Sequence, residues 1–197
     1  MLQACVDGYF IAPYTIPNYL SDEIKSGPVD TNHSAFAAAE EVVLEQLQRL
    51  LSIQGILPAD YFHKTLGRIL YDRCGLSRSG VGLQEAIAGI RTLREQFYHE
   101  LNVPLGSEMN SELEKAGRVA DYLEVGELMC YDALTREESC GAHFREEHQT
   151  ADGEAIRNDQ DFAFTSAWER AGAGKEPIWH KEPLRFDFVT PSARSYK

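Results

Sequence analysis

The sequence lacks several features that would assign a function at once. The four cysteines among its 197 residues form no CxxC pair and no regular framework, which excludes a disulfide scaffold and favours reduced thiols. No apolar run approaches the roughly 20 residues that a bilayer crossing needs. Motifs of the GxGxxG, GxxxxGK[ST] and GxSxG types are also absent, so no phosphate cradle or nucleophile elbow is indicated.

Positive charge is scarce as well. The chain has 19 Lys and Arg against 31 Asp and Glu, a net charge of -12, which argues against nucleic acid and against an acidic lipid surface as partners. The start, MLQACVDGYF, has no basic region and carries Asp7 where a signal peptide would be apolar. We therefore expect a packed, soluble protein in the cytoplasm or on the cytoplasmic face of a membrane assembly.

The first 31 residues do not resemble the beginning of a domain. The stretch MLQACVDGYFIAPYTIPNYL is apolar and aromatic from its first residue. Because Pro13 and Pro17 disfavour a long helix, the pattern predicts a short helix that ends near Gly8, followed by an irregular aromatic strip. Such a segment either packs on its own domain or has lost its neighbour.

A helical pattern follows from Asn32. Apolar residues recur at steps of three and four, with caps and glycine stops between the runs. The predicted helices cover 33–54, Pro58 to about Gly75, 82–101 and about 107–136. Helices of this length joined by short turns predict an antiparallel bundle of three to four helices within residues 32–140. The last helix has an apolar seam that begins at Met109 and contains one polar residue, Glu127.

The periodicity changes after Gly141. The stretches DFAFTSAWERA and EPLRFDFV alternate with a period of two, which predicts two strands. Phe162 and Phe164 lie on one side of the first strand; the matching residues of the second are Leu184, Phe186 and Phe188. The intervening GAGKEP is a plausible hairpin connection, so residues 141–197 are predicted to form a small β-containing extension.

One stretch, ESCGAHFREEHQT at 138–150, contains several residues of the types that bind metals or act in catalysis. His143 and His148 are five apart, a spacing that brings them together on neither a helix nor a strand. Cys140 and His143 could share a helical face, but two ligands do not make a tetrahedral metal site. The nearby glutamates are interpreted as a solvated acidic surface. We therefore assign no catalytic, cofactor-binding or metal-ligating residue.

Three C-terminal stretches, EESCGAHFREEHQT, RNDQDFAF and HKEPLRFDFVTPSARSYK, resemble the end of the flavoprotein subunit of succinate dehydrogenase and fumarate reductase. Relatives in that family show a pattern near E-S-R-G-x-H-x-R-x-D, then R-D-D and an ending near R-x-Y. The matching residues are Glu138, Ser139, Gly141, His143 and Arg145, then Arg157 and Asp159, then Arg194 and Tyr196. The chain departs from the pattern at Cys140, where arginine is commoner, and at Glu147, a conservative carboxylate change.

The start of the chain is similar to the helix and segment that follow the family's N-R-L-G motif, where the flavin ring is contacted. The resemblance thus covers essentially the whole chain. It implies the last third of a larger protein, with residues 1–31 as a remnant of the flavin-binding domain and a spectrin-repeat-like bundle after it. The implied parent interconverts succinate and fumarate by hydride transfer to FAD and pairs with an iron–sulfur subunit.

In the family, the dinucleotide fold, the FAD-linking histidine, the substrate-binding residues and the proton-delivering arginine all lie upstream of this segment. The resemblance therefore implies that His143 and Arg145 form a structural corner rather than a catalytic site. It also implies that this chain alone is inactive and binds no FAD. Without the flavin domain, the N-terminal apolar side chains should form an exposed patch that drives self-association; these are Phe10, Ile11, Tyr14, Ile16 and Tyr19.

Two alternatives remain open at this level. The chain could be a free-standing helical interaction module related to the subunit by descent. It could also be the C-terminal domain of a related flavoprotein, such as L-aspartate oxidase or adenylylsulfate reductase. An upstream glycine loop in the same reading frame would favour a flavoprotein, whereas a natural start at Met1 would favour the module.

Overall fold

A computed structural model describes residues 2–106, 109–172 and 175–192. The chain falls into two compact units, Met1–Glu45 and Gln46–Lys197. The predicted fold class is confirmed, since the described residues are mainly helical and a small two-stranded antiparallel sheet lies near the C-terminus. In these parts of the chain, no helix combines the length and the apolar character that a membrane crossing requires.

The first unit contains helix α1 (Leu2–Val6), a π-helical turn (Asp7–Ile11), α2 (Ala12–Tyr19) and the first part of α3 (Ser34–Ser52). The prediction of an irregular strip after Gly8 was wrong, because helical backbone continues to Tyr19. The π-helical turn changes the hydrogen-bond register just ahead of Pro13. Pro13 then lies in the first turn of α2, where proline is best tolerated, while Pro17 lies inside that helix.

The second unit is built on an antiparallel bundle of three helices, each of which contacts the other two. They are α4 (Ala59–Arg73), α5 (Gly80–Glu100) and α6 (Ser111–Thr135). All three were predicted, but α5 begins two residues early because the Ser79 hydroxyl caps it, accepting from Gly82 N at 3.1 Å. Asn110 caps α6 in the same way, accepting from Leu113 N at 3.0 Å. The predicted start of α6 at Ser107 lies outside the described residues.

Two phenylalanines form the centre of the bundle core. Phe62 of α4 and Phe97 of α5 are fully buried and meet edge to face, with ring centroids 5.2 Å apart. The largest fully buried aliphatic side chains of the core are Leu83, Ile90, Leu101 and Leu123. The predicted apolar stripes of α4, α5 and α6 are therefore core, except for Met109, which precedes α6 and is 90% exposed. The stripe predicted for the first long helix was wrong, because Phe36 and Val43 of α3 are 50% and 53% exposed.

The chain crosses the end of α5 immediately after α3. Gly55 N donates to Leu101 O at 3.1 Å and Leu57 N donates to Glu100 O at 2.8 Å, and Asn102 N donates back to Leu57 O at 2.8 Å. A Cβ atom at Gly55 would lie 2.0 Å from the Glu100 backbone. Glycine is therefore required here for close backbone approach, in addition to its predicted role as a helix stop.

Four short strands form two separate pairs, and a short helix precedes the second pair. The elements are β1 (Ser77–Arg78), β2 (Phe144–Arg145), α7 (Asp159–Phe162), β3 (Phe164–Glu169) and β4 (Ile178–Pro183). Strands β1 and β2 pair in parallel, which joins the loop before α5 to the segment after α6. Strands β3 and β4 form the predicted antiparallel hairpin.

The position predicted for the second hairpin strand was wrong. It was predicted in EPLRFDFV, but β4 begins at Ile178 and ends at Pro183, and Phe188 beyond it is 98% exposed. The register places Trp168 opposite Trp179, and their rings stack with centroids 5.4 Å apart. Cross-strand aromatic pairing thus fixes the register, and proline, which cannot donate to the ladder, stands at the strand end.

Candidate functional site

Five of the residues that carried the family resemblance, Glu138, Ser139, Gly141, His143 and Arg145, lie together in a region that we call the corner: residues 136–147 with the first turn of α5. Arg145 of β2 is 5% exposed and lies under the C-terminal end of α6. Its Nη1 donates to Ala133 O and Leu134 O at 3.0 Å each and to Arg136 O at 3.4 Å. The last carbonyls of a helix have no partner within the helix, so this guanidinium caps α6 and complements its dipole.

A tight turn brings the chain back to that helix end. Gly141 has φ +61°, a left-handed conformation that glycine adopts without steric cost. Ser139, which is buried, then accepts from Arg145 N at 2.8 Å and donates to Arg145 O at 3.1 Å. The His143 Nε2 atom lies 2.9 Å from Arg136 O. Burial lowers the pKa of His143 despite that hydrogen bond, so the neutral ring donates Nε2–H to the carbonyl.

Glu147 caps the N-terminal end of α5. Its Oε1 accepts from Gly80 N, the first residue of α5, at 2.5 Å, and its Oε2 accepts from Arg145 Nε at 3.2 Å. Partial burial acts to raise the pKa of Glu147, but the backbone N–H groups and the Arg145 guanidinium outweigh it and hold that pKa below its usual value. A carboxylate at the start of α5 and a guanidinium at the end of α6 each match the local helix dipole.

A second ion pair joins the corner to the segment that leads into the hairpin. Glu138 is 3% exposed; its Oε1 accepts from Arg136 Nη1 at 2.7 Å and its Oε2 accepts from Asn158 N at 2.8 Å. Arg136 also donates to Phe162 O at 3.3 Å and to Phe164 O at 3.2 Å. The buried Glu138 and the half-buried Arg136 therefore hold backbone groups in place.

Two further motif residues, Arg157 and Asp159, lie nearer the surface. Arg157 pairs with Asp159 through two contacts, at 2.5 and 2.7 Å, and donates to Ser192 O at 3.1 Å. This bidentate pair fastens α7 to the C-terminal segment. The predicted motif residues Arg194 and Tyr196 lie outside the described residues.

The structure does not combine Cys140 and His143 into a ligand pair. Their backbones exchange hydrogen bonds of 2.8 and 3.0 Å, Cys140 is exposed, and the His143 ring is directed to a carbonyl. His148 lines a groove of about 500 Å³ beside the corner, together with Glu137 and Arg157. Among the residues that the structure describes, no group of three or more His, Cys, Asp or Glu side chains could hold a metal ion.

Sequence reasoning missed one polar network in the bundle. Glu127, noted only as a polar residue in an apolar seam, accepts from Arg91 Nε at 2.7 Å and from Arg94 Nη1 at 2.6 Å. Arg91 also donates to the Tyr131 hydroxyl at 2.5 Å. A lone carboxylate in a helical seam, with two arginines one turn apart on the preceding helix, was the available indication. The network joins α5 to α6.

The comparisons with known proteins agree with this geometry. Residues 63–196 match the family described as fumarate reductase flavoprotein C-term. That match spans the bundle, the corner and the hairpin and covers most of the chain. The protein therefore belongs to the family of C-terminal domains of fumarate reductase and succinate dehydrogenase flavoproteins, and the resemblance is confirmed.

Individual relatives are distant and much longer. The fumarate reductase flavoprotein subunit of Proteus vulgaris is 28% identical over 114 residues, which cover 58% of this chain and 19% of that protein. The succinate dehydrogenase flavoprotein subunit of Bacillus subtilis is 22% identical over all 197 residues, which cover 32% of it. A solved quinol fumarate reductase of Escherichia coli shares the fold, with a TM-score of 0.73 at 23% identity over 86% of this chain and 28% of its own.

Proposed function

We propose that this chain is the C-terminal structural domain of a longer flavoprotein subunit, whose whole form interconverts succinate and fumarate by hydride transfer to FAD. The observation that carries the proposal is the family match over residues 63–196. Relatives include both fumarate reductase and succinate dehydrogenase flavoprotein subunits, which supports this chemistry without favouring either direction. The chain spans 19% and 32% of two such relatives, which supports a role as one domain among several.

The contacts of the corner support a structural role. Arg145, Glu147 and Glu138 direct their charged atoms to backbone groups and to one another. A catalytic acid, base or hydride-site residue needs atoms free to face a substrate. We therefore propose that the corner positions the helices of the domain and takes no direct part in the reaction.

The residues of this chain do not by themselves fit an FAD site. FAD pyrophosphate is held by a glycine loop at a helix N-terminus, and the sequence has no GxGxxG loop. The N-terminus of α5, where such an anion would bind, is capped by the Glu147 carboxylate. We propose that an upstream flavin-binding domain holds FAD in the whole protein, with no phosphate contact from this chain.

The proposed partners are that upstream domain and the iron–sulfur subunit of the complex. The first unit presents aromatic side chains that no described residue covers, among them Tyr9 at 77% and Tyr19 at 85% exposure. Exposed apolar surface of this kind marks interaction sites. Structural relatives include quinol fumarate reductase and Mycobacterium smegmatis Sdh1 complexes, so we propose a peripheral position on the cytoplasmic face of the membrane for the whole protein.

The first measurement is the visible absorption spectrum of the purified chain, before and after incubation with FAD and removal of free flavin. We expect no flavin band in either sample. Far-UV circular dichroism of the same samples, which should show the helical content of the structure, ensures that a missing band does not reflect unfolding. Flavin retained in stoichiometric amount would overturn the proposal.

The coding sequence upstream of Met1 separates the proposal from the interaction-module alternative. An in-frame extension that encodes a GxGxxG loop after a predicted strand would support the flavoprotein. An in-frame stop codon and an independent ribosome-binding site would favour the module. Substrate-binding residues in the extension would also distinguish succinate and fumarate from the substrate of L-aspartate oxidase.

A further inference from the structure

The apolar core of the second unit ends with α6. Its buried side chains run from Leu50 to Ala133, and Leu134 is the last partly buried side chain that packs against them. We call the described residues 137–172 and 175–192 the arm; it contains β2, α7, β3 and β4. No described residue of the arm belongs to the apolar core of the bundle. Another kind of interaction must therefore attach the arm to the bundle.

The interior of the arm is mostly polar. The buried polar side chains in its described part are Glu138, Ser139 and Arg145, whereas Phe164 is the single buried apolar residue there. The Phe164 ring packs against Trp179 of the same arm, with centroids 5.6 Å apart, and the Arg136 Cζ atom lies 5.2 Å from its centroid. Phe164 thus belongs to an aromatic cluster of the arm itself, and apolar burial contributes little to the attachment.

The corner supplies the attachment through polar contacts. Arg145 donates to the last carbonyls of α6, and Glu147 accepts from the first N–H of α5. Backbone hydrogen bonds between β1 and β2 join the arm to the loop before α5. Beyond the corner, Trp168 Nε1 donates to Asp132 Oδ1 of α6 at 2.8 Å. Because each such contact contributes only modest net stability, the arm is held less firmly than the core.

His143 gives the corner a group that titrates in the physiological pH range. Its Nε2–H and the Arg145 guanidinium donate to the same oxygen, Arg136 O, at 2.9 and 3.4 Å. Arg78 of β1 lies opposite Arg145 in the parallel β1–β2 pair. Burial lowers the pKa of His143, and the charges of these three arginines lower it further, against the hydrogen bond to Arg136 O.

The carboxylates of the corner hold other groups or are exposed to solvent; they are Glu137, Glu138, Glu146 and Glu147. Glu138 and Glu147 accept from arginine side chains and from backbone N–H groups. Glu146 accepts from the Ser77 hydroxyl at 2.9 Å, and Glu137 is exposed. A proton on the His143 ring therefore adds a positive charge near three arginines, and a carboxylate could neutralise it only if the corner rearranged.

We propose that the corner is an acid-sensitive latch: protonation of His143 releases the arm from the bundle by local opening, while α4, α5 and α6 stay folded. Proteins open in cooperative segments, and a segment outside the main core opens at a lower free energy than the core itself. The latch consists of residues of this chain alone, so it does not depend on the upstream flavin-binding domain of the proposed function.

The direction of the pH effect follows from the two states of the ring. In the open arm the ring is solvated and has its ordinary pKa of about 6.5, whereas in the closed arm its pKa is lower. Above about pH 6.5 the ring is neutral in both states and the latch stays closed; below it the open state binds the proton first. For a ring that stays neutral when closed, the open fraction rises about tenfold between about pH 7.5 and about pH 5.5.

Hydrogen–deuterium exchange of the full chain, followed by mass spectrometry of its peptides, tests the local opening. Peptides that cover β2 and β3 should exchange through an opening of lower free energy than peptides from the interiors of α5 and α6. Their exchange should also depend less on added urea, because local opening exposes less surface than global unfolding. Equal opening free energies and equal urea dependence for the arm and the bundle would show one cooperative unit and would overturn the proposal.

The same measurement at two pH values, corrected for the intrinsic exchange rate, tests the trigger. The opening constant of the arm should be about tenfold larger at about pH 5.5 than at about pH 7.5. His143→Gln should remove most of this rise, because the amide keeps a donor for Arg136 O but does not titrate. The control His148→Gln, at the other histidine of the stretch 138–150, should keep the rise.

Each outcome decides one part of the proposal. An unchanged opening constant at the lower pH would overturn the acid-sensitive latch. A full rise in His143→Gln would assign the trigger to another group. Because the exchange measurement on the unchanged chain needs no substitution, a variant that fails to fold does not weaken the test.

Discussion

Both compact units contain helices, but among the described residues only the second unit buries aromatic side chains in a core. In the first unit, Phe10 is 66% exposed and Tyr19 is 85% exposed. In the second unit, Phe62 and Phe97 are fully buried and pack edge to face. Local hydrogen bonds form a helix in either setting, but burial requires a partner surface. The comparison shows that helix formation and core formation are separate events in this chain.

The same contrast extends to polar groups. The second unit pairs its buried charges, with Glu138 held by Arg136 and by Asn158 N, and Glu127 held by two arginines. From Asp7 to Tyr19 the helical residues of the first unit include no buried residue. Its aromatic face is therefore available for another surface, as the proposed flavin-binding domain would provide.

The largest effect should come from truncating a core aromatic residue. Phe97→Ala should lower the free energy of unfolding by about 3–5 kcal/mol, because it removes a buried ring and leaves a cavity. Phe10→Ala, the matched change in the first unit, should alter it by less than about 0.5 kcal/mol. Urea unfolding followed by circular dichroism measures both. Similar losses of unfolding free energy for the two variants would show that Phe10 is packed. That result would contradict the difference in aromatic burial between the two units.

Removal of the cap on α6 should have the next largest effect. Arg145→Ala leaves the carbonyls of Ala133 and Leu134 without their donor, at a cost of about 2–3 kcal/mol in the free energy of unfolding. Arg170→Ala is the control, since that arginine forms an exposed pair with Glu124 whose loss should cost less than about 1 kcal/mol. Equal midpoints in urea for the two variants would argue against the capping role.

A smaller effect should appear on acidification. The pKa of His143 is lowered in the folded state, so above the usual value of 6.5 both states are neutral and stability is fully present. As pH falls below 6.5, the unfolded state takes up the proton first and stability is lost progressively. His143→Gln should reduce the fall in urea midpoint between about pH 7.5 and about pH 5.5. The control His99→Gln, at an exposed position near the end of α5, should show the same fall in urea midpoint as the unchanged chain.

The last prediction concerns association and leaves the unfolding free energy almost unchanged. Sedimentation velocity should show that the weight-average mass of the chain rises with concentration, because association buries the exposed apolar patch of the first unit. Serine at Tyr9, Phe10 and Tyr14 should shift the protein towards monomer, whereas Tyr71→Ser, an 85% exposed position in the second unit, should not. A chain that stays monomeric at high concentration would contradict the prediction that this patch drives association.

Periodicity predicted the bundle well because α4, α5 and α6 bury one face each. Periodicity failed for the helices at the N-terminus and for the position of β4. The helical backbone through Pro13 and Pro17 depends on a change of hydrogen-bond register at the π-helical turn, which proline content alone argues against. Alternation also misplaced β4, since a cross-strand tryptophan stack, and not the run of phenylalanines, fixes the register of the hairpin.

The corner shows the same limit at the level of single residues. The motif in 138–147 identified Glu138, Ser139, Gly141, His143 and Arg145 as a unit and assigned the family. It did not show that Arg145 caps one helix while Glu147 caps another, because those helix ends are about 55 residues apart in the chain.

The sequence by itself determined the helices of the bundle, the presence of a hairpin and the family, because helical periodicity, strand alternation and a local motif each depend on a short stretch of residues. The tertiary structure decided which helix ends the motif residues cap and which arginines neutralise Glu127. These are long-range contacts, and they form only when packing of the apolar faces brings distant segments together.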